Sequence, residues 1–279
     1  MIRILTKKLK DHFYRFEEYG GPNQVHAYLI CGTEKVLQTE YEGYTPQNRD
    51  KKLEMLITHG HEDHAGKGME EFLEAGCAVY LSEKDWPMLA EKYKDRKPQI
   101  TFLTEKMCDS FTDAGELVPG QEGGRMDLGS ITAQIVKMPG HTPGSLLVWV
   151  PEWNVLLTSD AIGAGVLWMQ LPECRPLSEY EMQVRRLLVF LENEKARTGI
   201  KVKIYPGHAQ QILPEAEKEQ DVLSYAYVEE VLRLTEKIQD NPQIGQTKQI
   251  DYPGLEYVRV RSVGERLLYD YCYDEKRVR

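Results

Sequence analysis

Leu53-Glu54-Met55-Leu56-Ile57-Thr58 runs directly into His59-Gly60-His61-Glu62-Asp63-His64-Ala65-Gly66. An apolar run of strand length thus ends in a turn that packs three histidines and two carboxylates into residues 59–64. His59 and His61 flank a single residue, so in a loop their imidazoles can grip one cation from two directions. Asp63 and His64 follow closely enough to serve a second cation beside the first. Gly60 and Gly66 allow the tight backbone this requires. A helix is expected just afterwards, over 67–75, with Phe72 and Leu73 facing inward.

The same arrangement recurs downstream. Ile131–Met138 leads into Pro139-Gly140-His141-Thr142-Pro143-Gly144-Ser145, and Lys201–Tyr205 leads into Pro206-Gly207-His208. Val155–Leu157 ends at Thr158-Ser159-Asp160. Five of the seven histidines therefore stand in three turns, each after an apolar strand. Ligands gather at the carboxyl ends of strands in α/β sheets, so these four turns can converge on one spot. His141 would complete the first trio and His208 the second. Asp160 is the natural bridge, since a carboxylate can give one oxygen to each cation. Imidazole and carboxylate without thiolate suit Zn2+, Fe or Mn2+ rather than Cu(I). His12 and His26 have no such context and read as ordinary surface or core histidines.

Strands and helices alternate along the rest of the chain, which indicates an α/β architecture with sheet buried under helices. Further strand-like runs are Ala27–Cys31 and Leu146–Val150. Ser178-Glu179-Tyr180-Glu181 reads as a helix-capping box, followed by Val184, Leu187, Leu188 and Leu191 on one face. One helix is expected after Ser82, with Trp86, Leu89 and Tyr93, and a long one over about 215–239. Trp86 and Tyr225 read as core anchors. The segment 113–128, rich in glycine and polar residues, fits hairpins at a sheet edge. Strand character returns at 257–260 and 267–273, as two closing strands. The chain divides into residues 1–240 and an extension, 241–279, that fits either the edge of the same domain or a homodimer contact.

Composition narrows the function. Lys and Arg number 35 against 44 Asp and Glu, a net charge of −9, which argues against a dedicated nucleic-acid binder. No run approaches the roughly 18 apolar residues of a membrane span, and the basic start lacks the apolar core of a secretory signal. The five cysteines are odd in number, widely spaced and without a C-x-x-C pair. They read as buried thiols in a reducing compartment, which implies the cytoplasm.

Thr58–Gly66, together with Gly140–Ser145, Thr158–Asp160 and Pro206–His208, resembles the metal-binding signature of the metallo-β-lactamase fold superfamily. The resemblance runs from roughly residue 25 to 210 and implies an αββα sandwich with the site at one edge. It implies that His59, His61 and His141 hold one metal and Asp63, His64 and His208 a second. Asp160 and a water-derived hydroxide would bridge them. Two divalent ions, Zn2+ foremost and Fe or Mn as alternatives, are the implied cofactors. Such a pair, about 3.5–4 Å apart, lowers the pKa of a shared water and polarises a substrate carbonyl or phosphoryl oxygen, so no serine or cysteine nucleophile is required. Asp63 fits two roles equally: ligand alone, or ligand and catalytic proton acceptor.

Among the superfamily's branches, Asp160 sets the chain apart from dizinc β-lactamases and groups it with glyoxalase II and the lactonases. His61 stands where flavodiiron oxygen reductases place Glu, and acidity disfavours the nucleases. The expected activity is hydrolysis of a small ester, thioester or lactone, with a small-molecule substrate and a homodimer as the candidate partners and neither nucleic acid nor membrane involved. The alternatives are a mononuclear-iron persulfide dioxygenase, a phosphodiesterase of the same fold and, last, a non-enzymatic metal-binding module. Two features depart from the pattern. The family's Asp-Thr-Gly segment is replaced by Leu37-Gln38-Thr39-Glu40, which questions a supporting carboxylate near the site. The tail after His208 is unlike the glutathione-binding domain of glyoxalase II. Gly163–Leu171, with Trp168 and Met169, reads as a loop that either packs or walls the site.

Overall fold

The computed structural model describes residues 3–19, 24–40, 52–163, 165–208, 222–252 and 255–279. The first sheet has seven strands in chain order. They are β1 (Arg3–Lys10), β2 (Phe13–Tyr19), β3 (His26–Cys31), β4 (Lys35–Thr39), β5 (Lys52–Ile57), β6 (Ala78–Ser82) and β7 (Ile100–Leu103). Neighbours are antiparallel up to β4 and parallel from β4 to β7. A short hairpin, β8 (Ser110–Phe111) with β9 (Leu117–Val118), precedes the second sheet. That sheet orders β10 (Arg125–Asp127), β11 (Thr132–Lys137), β12 (Leu146–Val150), β13 (Val155–Ser159) and, beyond the next strand in sequence, β15 (Lys203–Pro206). β15 joins β13 in parallel.

Alternation along each strand builds the layers, because successive side chains point to opposite faces. Leu56 of β5 meets Leu146, Val148 and Val150 of β12 and Val155 and Leu157 of β13 in a core between the two sheets. The alternate residues face outward. Met55 and Ile57 pack under Met69, Phe72 and Leu89, from α1 (Glu62–Glu74) and α2 (Trp86–Tyr93). Leu147, Trp149 and Leu156 pack under Val184, Leu187 and Val231, from α3 (Leu177–Thr198) and α4 (Tyr225–Asp240). Both faces of both sheets are thereby buried, which explains why these strands read as continuous apolar runs. This is the expected αββα sandwich.

Four details differ from the sequence reading. α1 begins at Glu62, not after Gly66; Gly66 lies inside it at φ 33°, ψ −161°, a kink that a glycine accepts without strain. α3 starts at Leu177 with Pro176 as its cap, so Ser178 is already helical and caps nothing. α4 starts at Tyr225, where the Ser224 side chain accepts from the Tyr227 N–H; the expected portion over 215–221 lies outside the described residues. Residues 166–169, expected as loop, form strand β14 (Val166–Met169), with Met169 in the core and Trp168 packed against it.

β14 belongs to a third sheet made with β16 (Gln246–Tyr252), β17 (Leu255–Val263) and β18 (Asp270–Tyr273). β18 lies parallel to β14, with Trp168 opposite Cys272. The end of the chain is thus in register with a segment that follows Asp160 directly. No helix among the described residues is long and apolar enough to cross a membrane.

Candidate metal centre

All four signature turns, and a fifth at Glu40, leave the carboxyl ends of strands at one edge of the sandwich. β5 ends at Thr58-His59, β11 precedes His141, β13 ends at Ser159-Asp160 and β15 precedes His208. His61 is the N-terminal flanking residue of α1, so Asp63 and His64 occupy its first turn, where the helix dipole favours a carboxylate. The His208 turn is held by β3: the His26 N–H donates to the Gly207 carbonyl at 2.7 Å and Tyr28 Oη to the Pro206 carbonyl at 2.6 Å. His26 is a buried structural residue and His12 sits exposed in the β1–β2 turn, as the sequence suggested.

These turns bring together all seven sequence-assigned residues. His59, His61 and His141 place one ligand atom each within 4.8 Å of the others, and so do Asp63, His64 and His208. His61 Nδ1 stands 2.9 Å from His141 Nε2, and His64 Nε2 stands 3.2 Å from His208 Nε2. Asp160 Oδ2 lies between the trios: 3.2 Å from His208 Nε2, 3.5 Å from His64 Nε2, 3.7 Å from His141 Nε2 and 3.9 Å from His59 Nε2. The sequence reading gave each cation its own Asp160 oxygen. Asp160 Oδ1 also stands 3.1 Å from His208 Nε2, so both oxygens face the second trio and Oδ2 faces the first as well.

The donor set fits divalent cations. Adjacent donors around a tetrahedral ion with bonds of roughly 2.0–2.1 Å are about 3.3 Å apart, close to the nitrogen spacings seen. His59 Nε2 is buried without a hydrogen-bond partner among the described residues. Burial and the neighbouring imidazoles hold His59 well below its usual pKa, and the same causes bring His141 down to about 4. Burial works against charge on His64 and His208 too, but Asp160 beside them holds both above the usual value, with Asp63 and Glu40 adding to the effect at His64. Burial would raise Asp160, yet His208 and His64 keep its carboxyl well below the ordinary carboxylate range. A buried cluster of this kind demands positive charge around Asp160, whether from protons or from metal.

Outer partners fix which nitrogen faces inward. Thr58 Oγ1 lies 3.2 Å from His59 Nδ1 and donates to Glu40. His141 Nδ1 pairs with the Trp168 carbonyl at 2.8 Å, and His61 Nε2 with Glu173 Oε1 at 2.6 Å. In each case the remaining nitrogen is left for the site. Burial raises the Glu173 carboxyl, but the bond from His61, a backbone bond and the nearby imidazoles together bring it below the usual value. Asp85, fully buried, ties two ligand turns together. It accepts from the Gly60 N–H at 2.9 Å, Thr142 Oγ1 at 2.6 Å and the Gly144 N–H at 2.7 Å. A Cβ on Gly144 would stand 2.7 Å from the Asp85 carboxylate, so the approach requires glycine.

The sequence reading assigns no role to Glu40, Asp85 or Glu173. The doubt over a supporting carboxylate is overturned: Glu40 is 1% exposed, accepts from Ser159 Oγ at 3.1 Å and lies 3.5 Å from His64 Nδ1. Glu40 (φ 57°) and Ser159 (φ 46°) both adopt the left-handed conformation, costly for residues with a Cβ and characteristic of functional sites. The only local signal for Glu40 was its place at the end of a strand, beside the expected turn.

Comparisons with known proteins bear on the family and the fold. The family model described as the metallo-beta-lactamase superfamily matches residues 44–208. An uncharacterized protein of Mycobacterium leprae is 30% identical over 118 residues, covering 42% of this chain and 53% of that protein. The acyl-coenzyme A thioesterase MBLAC2 of Gallus gallus is 26% identical over 166 residues, 57% of each chain. The human protein of that name is 25% identical over 235 residues, covering 72% of this chain and 80% of the relative. The chain spans about half the length of the first two of these relatives. A metallo-beta-lactamase from Pontibacter korlensis shares the fold with a TM-score of 0.56 at 18% identity, over 83% of this chain and 98% of its own. The matched family model and the strand-end histidine turns on a two-sheet sandwich place this chain in the metallo-beta-lactamase superfamily.

Proposed function

We propose that the chain is a dinuclear metal-dependent hydrolase of small acyl compounds, with thioesters first, then esters and lactones. The observation that carries this reading is the position of Asp160 Oδ2, within 3.9 Å of imidazole nitrogens from both trios. The thioester preference draws on the human acyl-coenzyme A thioesterase, the longest of the three relatives' alignments.

In this reading His59 Nε2, His61 Nδ1 and His141 Nε2 hold one divalent ion, and Asp63, His64 and His208 the other, with Asp160 between. When bound, such ions supply an acidified water and polarise a substrate carbonyl. The chain's own residues do the rest. Asp63 is the most open of the seven, its side chain 24% exposed, and stands where it can accept the proton of the attacking water. Asp160, its side chain 16% exposed and its carboxyl held well below the ordinary range, balances the positive charge at the centre. Glu40 and Glu173 help orient the imidazoles, and Asp85 ties two of the ligand turns together. Cys77, Cys108, Cys174 and Cys272 form no disulfide among the described residues, in keeping with a cytoplasmic location.

The test joins metal quantification to a panel of acyl-coenzyme A thioesters, lactones, simple esters, phosphodiesters and a β-lactam. Two zinc ions per chain with turnover of the acyl compounds is the expected outcome. Two ions with no turnover of any acyl compound would overturn the substrate class. One iron per chain, with oxygen uptake on glutathione persulfide, would replace hydrolysis by dioxygenation.

A further inference from the structure

Two of the outward contacts of the first trio lead to the far end of the chain. Glu173, which holds His61, lies in the turn 171–174 between β14 and α3. The Cys174 N–H closes that turn on the Leu171 carbonyl at 3.0 Å. Arg277 then clamps it from outside, donating from Nη1 to the Leu171 carbonyl at 2.6 Å and from Nη2 to the Cys174 carbonyl. A planar guanidinium can reach two carbonyls at once and fix the distance between them, which a lysine cannot do. Arg277 is itself anchored, because Val278 is buried in the core beneath α3 and α4. The neighbouring strand β18 pairs with β14 through Trp168 and Cys272, and the Trp168 carbonyl holds His141.

We propose that the C-terminal segment 270–278 is a positioning element for the first metal trio, acting on His61 through Arg277 and Glu173. Arg277 fixes the turn, the turn presents Glu173, and Glu173 keeps the His61 proton on Nε2 so that Nδ1 faces the site. A carboxylate on the outer nitrogen of a ligand histidine sets its tautomer and raises its basicity. The segment therefore governs how tightly the first ion is held while leaving the second trio alone. Arg277 and Glu173 are positioning residues, and the inference rests on reading the site as a metal centre.

The full chain, stripped of metal, is titrated with Zn2+ against a competing chelator as wild type, Glu173→Ala, Arg277→Met and the double variant. Glu173→Ala should weaken one of the two binding steps by about 10–100-fold and leave the other unchanged. Arg277→Met should weaken the same step by less, and the double variant should be no weaker than Glu173→Ala, since one residue acts through the other. Glu173→Gln, which keeps an acceptor, should recover part of the loss. Histidine 15N spectra of the metal-free protein give a second readout: His61 protonated on Nε2 in wild type, and a mixture of tautomers in Glu173→Ala and Arg277→Met. Additive losses, equal weakening of both steps or an unchanged His61 tautomer would overturn the inference. A wild-type chain that binds no zinc defeats the metal-centre reading and this inference together; two ions bound equally well by every variant defeats the inference alone.

Discussion

The trio His59, His61 and His141 and the trio Asp63, His64 and His208 share Asp160, yet they are held by different means. Each imidazole of the first trio has its outer nitrogen against a named partner: Thr58, Glu173 and the Trp168 carbonyl. Burial and mutual repulsion keep His59 and His141 neutral, as ligands must be. Among the described residues, the contacts of the second trio are dominated by charge. His64 and His208 lean on Asp160, which raises both despite their burial, and Asp63 and Glu40 add to the raising of His64. A scaffold of directional hydrogen bonds fixes geometry before a cation arrives. A knot of opposite charges exchanges protons for the cation when it does. The two metals should therefore differ in affinity, the first set by outer partners and the second by carboxylates and pH.

The change that strikes both trios at once is Asp160→Ala. It removes the oxygen facing four imidazole nitrogens and leaves His64 and His208 without their main counter-charge. Breaking a buried charge pair from one side typically costs about 3–5 kcal/mol. Metal content and hydrolysis should be lost together, by more than the roughly 100-fold that losing an outer partner costs. Metal analysis alongside turnover checks this; a variant with two ions and full activity would remove Asp160 from the bridge.

Asp85→Ala should separate the trios. It orphans the Gly60 and Gly144 N–H groups and leaves Thr142 Oγ1 with Ser145 Oγ alone, all beside ligands of the first trio and none beside the second. Each orphaned buried donor costs about 1–3 kcal/mol, so a loss of about 3 kcal/mol in unfolding free energy is expected, together with weaker binding of one zinc ion. Denaturant unfolding and zinc titration measure the two effects. Equal weakening of both zinc ions would erase the distinction drawn between the trios.

The legibility of these residues in the sequence follows the range of their contacts. The seven candidate ligands were readable because each stands in a short turn after an apolar strand, and strand ends on a sandwich edge must meet. The sheets were readable for the same reason, since Leu146–Val150 alternates between two buried faces. The outer partners were not. Asp85 reaches the Gly140–Ser145 turn from the start of α2, and Glu173 reaches His61 from beyond β14, with no local pattern to announce either. Glu40 was hidden by its left-handed backbone, which nothing in Gln38-Thr39-Glu40 signals. β14 was misread because its pairing partner, β18, is about a hundred residues away in the sequence.

The smallest effect tests whether support of the first trio extends past Arg277 to the sheet that carries β18. Glu265, in the connection between β17 and β18, is bonded to Arg233 and Lys237 of α4, and those bonds bring its carboxyl down to about 2. A carboxyl lower in the folded than in the unfolded chain stabilises fully above the unfolded value of 4.5 and loses that contribution as pH falls towards 2. The group lies near the surface, where solvent screens the pair, so less than about 1 kcal/mol is at stake. Urea unfolding at pH 5 and pH 3 should show Glu265→Gln converging on wild type in acid, with wild type the more stable at pH 5. If the third sheet only supports the first trio mechanically, zinc binding at neutral pH will be unchanged in Glu265→Gln. A selective loss at one step would instead extend the positioning role from Arg277 into the β17–β18 connection.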